Sequence, residues 1–161
     1  MEKGKWEVKK ALPEDADRWF ELLTAVQDDF CGLDLSKDER HRSGVKENIN
    51  RGIAIYVEDD AKENCPIIGA MSFSPDKNQI TWLGVHPDYR KQGVVSSLLG
   101  AVCIELKHAE RIKVKTFCDD DRYGRAARSF YKKHGFEEGE TFSSDRYPHP
   151  VQVFRKTLDR R

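Results

Sequence analysis

One junction limits what this chain can become. Gln79–Val85 is a run of β-branched and aromatic residues, QITWLGV, and Pro87 forbids its continuation. Arg90, Lys91, Gln92 and Gly93 follow. Val95, Leu98, Leu99, Val102 and Leu106 then recur at helical spacing, which predicts a helix over 92–109 with one buried face. A strand, a short basic turn and a long apolar helix therefore meet within a few residues. The first N–H groups of a helix lack intrahelical acceptors and carry the positive end of its dipole. Gly93 allows close backbone approach, Arg90 and Lys91 add charge, and Ser96 adds a hydroxyl. Such a junction suits a diphosphate, although a solvated basic turn would have the same composition.

The remaining pattern places this junction within a mixed sheet. Trp6–Lys10 reads as a short first strand. Pro13 opens a helix whose buried face is Ala16, Trp19, Phe20, Leu23 and Val26, and Asp28–Leu35 breaks it. Ser36 with Glu39 fits a capping box for a second helix reaching Asn50. Residues 53–58, 66–74 and 79–85 form a meander of strands. A strand over 112–117, a helix over 125–134 with Gly135 at its left-handed cap, and strands over 136–140 and 151–158 complete the chain. Hairpins on one side and a strand–helix–strand crossover on the other imply an α/β fold with helices on both faces of the sheet.

Length and composition narrow the function. With 161 residues the chain suits one domain. Its 28 basic and 28 acidic residues cancel, so nothing draws it generally to nucleic acid or to an anionic membrane. The cysteines, Cys31, Cys65, Cys103 and Cys118, have no metal-ligand spacing. No run approaches the ~20 apolar residues of a membrane span, and MEKGKWEVKK lacks a signal peptide's apolar core. The expectation is a reduced cytoplasmic protein with no metal.

VHPDYRKQGVVSSLL resembles the acetyl-CoA-binding motif of the GCN5-related N-acetyltransferases, [RQ]-x-x-G-x-[GA] after a V-x-P. Arg90 and Gly93 fill the first two defined positions, and Val95 stands where the family prefers Gly or Ala. AARSFYKKHGFEEG resembles a second signature, A-x-x-x-Y-x-x-x-GF, with Tyr131, Gly135 and Phe136 in place. Gly124 replaces the asparagine usually seen seven residues before that tyrosine.

The resemblance implies a mostly antiparallel twisted sheet of six to seven strands with about four helices, splayed between strands 4 and 5. It implies acetyl-CoA as co-substrate and direct attack by a primary amine, small or peptidic. Leu83, Gly84 and Val85 would line the pantetheine arm, with the family's β-bulge at Gly84. Lys91, Gln92, Gly93, Val94, Val95 and Ser96, beside Arg90, would hold the pyrophosphate. Tyr131 would be the general acid. Strand 79–85 has no carboxylate to act as base, which leaves Asp119, His86 and Asp145 as candidates, with Asp145 foremost. The first two helices, with Asp28, Asp29, Asp34, Asp38 and Glu39, and the 144–149 loop, with Asp145, Tyr147 and His149, would select the amine. Homodimers are common in the family. Val95 and Gly124 also motivate an alternative, a catalytically weak module that senses acyl-CoA.

Overall fold

The computed structural model describes residues 6–30, 32–117, 125–143 and 149–158, and for Asp29 and Ala126 the backbone alone. Seven strands form one sheet in the order β1-β2-β3-β4-β5-β7-β6. These are β1 Lys9–Lys10, β2 Ala54–Glu58, β3 Ile67–Ser74, β4 Gln79–Val85, β5 Arg111–Phe117, β6 Glu137–Phe142 and β7 Val151–Thr157. The helices are α1 Ala16–Ala25, α2 Glu39–Asn50, α3 Val94–Glu105 and α4 Arg125–Lys133. Every neighbouring pair is antiparallel except β4 and β5, which run parallel and are joined by α3.

Two apolar layers lie on the two faces of the sheet. Trp19, Phe20, Leu22 and Leu23 of α1 and Val45 and Ile49 of α2 pack with Ala54, Tyr56, Ala70 and Trp82. Val94, Leu98 and Val102 of α3 and Tyr131 of α4 pack with Ile55, Met71, Ile80, Val114 and Phe154. β3 is buried on both faces over seven of its eight residues, as expected for a strand covered on both sides. Trp19 and Phe154 are essentially sealed, and each such burial is worth about 1.5–3 kcal/mol. β1 and β6 are the edge strands, and the exposed Glu137, Glu138 and Glu140 of β6 discourage pairing with another edge.

Three local expectations are corrected. Asp38, not Ser36, caps α2 by accepting from Arg40 N at 3.1 Å, while Asp34 takes the amide of Ser36 in the preceding 3₁₀ turn. Helix α3 begins at Val94 rather than Gln92, because left-handed Lys91 (φ 62°) and Gly93 (φ 85°) interrupt the helical path. The β-bulge lies at Thr81 and not at Gly84. Ser72 pairs with Trp82 and Phe73 with Ile80, leaving Thr81 as the extra residue, whereas Gly84 pairs regularly with Ala70. The bulge turns Ile80 to the α3 face and Trp82 to the α1–α2 face.

Candidate functional site

The bulge marks where the sheet opens. β5 pairs with β4 at Gln79 and Ile80 and at no residue beyond. From Thr81 to Val85 the β5-facing side of β4 therefore has no strand partner among the described residues. Backbone direction follows from the ladder. His86 N donates to Ile68 O at 2.8 Å, so by antiparallel alternation Gly84 turns its peptide groups toward β3. Leu83 and Val85 then direct theirs into the opening. The Val85 carbonyl accepts from Arg90 Nε at 3.3 Å and Nη2 at 3.2 Å, so that guanidinium folds back onto the strand end.

The mouth of this opening is the start of α3. Gly93 is its N-cap and supplies no side-chain bond. The first intrahelical bond runs from Ser97 N to Gly93 O at 3.1 Å, leaving the amides of Val94, Val95 and Ser96 without intrahelical acceptors. Trp6 steadies the turn by donating its indole N–H to Gln92 O at 2.8 Å, and Gln92 Nε2 donates to Asp88 O at 3.2 Å. Val95 is half-buried against the main core, so its branched side chain is absorbed by packing. The expected cofactor residues, Leu83 through Val85 and Arg90 through Ser96, thus lie along one contiguous strand end, turn and first helical turn.

Two contributors to this geometry were not legible in the sequence pattern. Gly69 pairs with Val85, and a Cβ built on it would stand 2.4 Å from Val94 Cγ1. Only glycine lets the helix start sit this close to β3. His134 follows α4, with Nδ1 3.0 Å from Phe130 O and Nε2 3.5 Å from Ser96 Oγ. A proton on Nδ1 leaves Nε2 to accept the Ser96 hydroxyl, tying α4 to the first turn of α3. The signal available in the sequence is slight: a helix-terminal histidine before Gly135, whose φ is 90°.

Tyr131 is 2% exposed and lies 5.1 Å from Phe136 and 6.2 Å from Phe154, centroid to centroid. Burial pushes its phenol well above the usual range, so the hydroxyl keeps its proton. His86 is engaged within its own turn, where Nδ1 accepts from Asp88 N at 3.1 Å and the ring meets Tyr89 edge-on. Asp145, Asp119, Gly124 and Tyr147 lie outside the described residues. Of the acidic residues expected to draw a cation, Asp34 is occupied by Ser36 and Thr24, and Asp38 caps α2.

The open parallel pair and the uncapped helix start beside it form a junction able to seat a diphosphate-bearing group. A family model described as "Acetyltransferase (GNAT) domain" matches residues 50–138, and the chain belongs to that family. Among solved structures it is similar to a PaiA N-acetyltransferase from Thermoplasma acidophilum in complex with coenzyme A (18% identity, 94% of this chain and 98% of that one, TM-score 0.75). It also resembles a GNAT-family acetyltransferase from Bacillus cereus (22%, 95% and 98%, 0.65) and a ribosomal-protein-alanine N-acetyltransferase from Brucella melitensis (16%, 94% and 99%, 0.69). No curated protein matches the chain. Among the described residues no helix is long and apolar enough to cross a membrane.

Proposed function

We propose that this chain transfers an acetyl group from acetyl-CoA to a primary amine. The observation that carries this reading is the opening of β4 from β5 beyond Ile80, which leads to the uncapped start of α3. The residues present fit coenzyme A: helix-start amides without intrahelical acceptors and a left-handed Gly93 suit a diphosphate, and the Leu83 peptide groups with the Val85 amide, which face no strand among the described residues, suit an amide-bearing arm. The thioester supplies the activated acyl group.

The protein's own residues divide the remaining work. The amides of Gly93 to Ser96, with Lys91, hold the diphosphate, and Leu83 and Val85 align the arm by strand-like hydrogen bonds. The amine nitrogen attacks the thioester carbon, the C–S bond breaks, and the amine gives up one proton. Tyr131 donates its proton to the departing sulfur and regains one from solvent, a contribution of roughly 10²–10⁴-fold. A lysine-like amine with pKa ~10.4 costs roughly 4–5 kcal/mol to deprotonate at pH 7, so a base or a less basic amine is required. β4 carries no carboxylate, and Asp145 is the residue we assign as base.

Calorimetry with coenzyme A tests the cofactor. Gly93→Ala places a Cβ on a residue at φ 85°, which strains the turn by roughly 1–2 kcal/mol and narrows the diphosphate seat. The expected result is micromolar binding by the native chain and at least tenfold weaker binding by the variant. Native chain that fails to bind coenzyme A would end the proposal.

A further inference from the structure

The turn that would seat a diphosphate is held by residues that lie outside it. Its central peptide, between Gln92 and Gly93, is flanked by left-handed Lys91 (φ 62°) and left-handed Gly93 (φ 85°). Glycine adopts that conformation freely. A lysine there is strained and persists only where its surroundings hold it. Gly93 adds no side-chain bond at the helix start. The support comes from two distant segments of the chain.

The first is Trp6, ahead of β1. Its indole N–H donates to Gln92 O at 2.8 Å. A trans peptide turns its C=O and its N–H to opposite sides. Holding the Gln92 carbonyl therefore also directs the Gly93 amide, the first donor of the seat, away from Trp6.

The second is the turn between β2 and β3. Asp59 N donates to Pro66 O at 3.0 Å, and Asp59 Oδ1 accepts from Ala61 N at 3.1 Å, so this carboxylate is fixed by its own turn. Its Oδ2 accepts from the Tyr89 hydroxyl at 2.5 Å. Tyr89 ends the 3₁₀ turn Pro87–Tyr89 and directly precedes Arg90 and Lys91. Lys62 Nζ, from the same β2–β3 turn, lies 5.7 Å from the centre of the Tyr89 ring.

The two supports meet at that ring. Trp6 meets Tyr89 edge-on at 6.3 Å, and so does His86 at 5.7 Å. A loose turn would have to be ordered each time an anion bound, and such ordering lowers affinity. A turn already held in place has less freedom to lose. Asp59 is itself an anion and would oppose a diphosphate that it touched, so its use here is through Tyr89.

We propose that Trp6, Tyr89 and Asp59 are positioning residues for the diphosphate, and that they set the affinity of the seat by holding the 89–93 turn in the shape that receives the anion. The proposal rests on the coenzyme A reading for its ligand, but the seat itself answers to inorganic diphosphate alone.

The first readout therefore uses no coenzyme A. The native chain, labelled with ¹⁵N, is titrated with inorganic diphosphate. The amide resonances of Gly93, Val94, Val95 and Ser96 should shift, and the Trp6 Nε1–H with them. The indoles of Trp19 and Trp82, 1% and 9% exposed in the α1–α2 layer, should stay in place. Trp6→Phe, Tyr89→Phe and Asp59→Ala, each shown folded by circular dichroism, should each weaken diphosphate binding at least fivefold. Asp59→Asn keeps an oxygen for the Tyr89 hydroxyl and should bind no more than twofold more weakly than the native chain. Tyr89→Phe and Asp59→Ala break the same bond, so the double variant should bind no more than twofold more weakly than either alone.

The second readout is thiol release. Trp6→Phe and Asp59→Ala should raise KM for acetyl-CoA at least tenfold with kcat changed less than threefold. Their kcat/KM for S-acetylpantetheine, which lacks the diphosphate, should change less than twofold.

Variants that bind diphosphate as tightly as the native chain would overturn the proposal. So would amides of Gly93 to Ser96 that diphosphate does not move, or equal losses against acetyl-CoA and S-acetylpantetheine. Diphosphate binding that weakens as expected in the variants, with no thiol release from acetyl-CoA on any amine, would overturn acetyl transfer and leave the positioning roles standing.

Discussion

Gly69 and Val94 approach so closely that a single added methyl group would stand 2.4 Å from Val94 Cγ1. β3 is sealed at this point and Val94 is 2% exposed, so neither side has room to yield. Gly69→Ala should therefore cost about 1–3 kcal/mol, the usual penalty for overpacking. The displaced element is the start of α3, so coenzyme A affinity should fall as well. Gly100, further along the same helix, is exposed and has open space where its Cβ would be. Gly100→Ala should stabilise by up to about 1 kcal/mol and leave affinity unchanged. Chemical denaturation and calorimetry on the two variants check the contrast.

Tyr131→Phe keeps the ring that packs on Phe136 and Phe154 and removes only the hydroxyl. Stability at pH 7 should change little, while kcat should drop by roughly 10²–10⁴-fold. A second consequence appears in alkali. The native state raises this phenol above the unfolded value near 10, so from about pH 10 upward the unfolded chain loses a proton that the folded chain retains. Stability must then fall with rising pH, by up to about 1.4 kcal/mol per unit. That extra slope should be missing from the phenylalanine variant. Equal slopes would show that Tyr131 titrates as freely folded as unfolded.

Much of this arrangement can be read along the chain, and the limits are physical. β4 runs over Gln79–Val85 as the pattern predicts, because the Pro75–Asn78 turn and Pro87 delimit it locally. The start of α3 is less legible, since left-handed Lys91 sets it and lysine composition carries no such signal. The bulge at Thr81 arises from two layers competing for one strand. Its trace in the sequence is the adjacent apolar pair Trp82–Leu83, which breaks strict alternation. Gly69 and His134 matter through partners 25 and 38 residues away, and periodicity within one segment cannot reveal such contacts.

Glu58 joins three elements. It accepts from Lys9 Nζ of β1 and from Arg18 Nη1 of α1, each at 2.8 Å, while sitting at the end of β2. Arg18 also bonds Asp15 at 2.6 Å and the Cys65 carbonyl. The bonds from Lys9 and Arg18 hold the Glu58 carboxyl below its usual range. A depressed carboxylate stabilises the fold above its unfolded pKa near 4.3, and that stability is lost as pH falls through the folded value. Glu58→Gln should thus cost about 1–3 kcal/mol at pH 7, and the gap to native should narrow progressively as pH falls below the unfolded value near 4.3. Urea melts from pH 7 down through the acid range measure it, and a gap that did not narrow at all would assign the loss to packing.

Gly84 is fixed as glycine by Trp82. A Cβ on Gly84 would stand 2.5 Å from Trp82 Cη2 and 2.9 Å from Cζ2, because the indole lies along the strand over that residue. The ring cannot swing away easily: Phe30 stacks on it, Trp19 tilts against it and the His41 ring meets its edge. Gly84→Ala should cost about 1–3 kcal/mol and displace the indole from between Phe30 and Trp19. The backbone of Leu83 and Val85, on the cofactor side, keeps its register opposite Met71 and Gly69. Urea melts should therefore show the loss, while calorimetry finds coenzyme A affinity changed less than twofold. A matching fall in affinity would place Gly84 in cofactor contact.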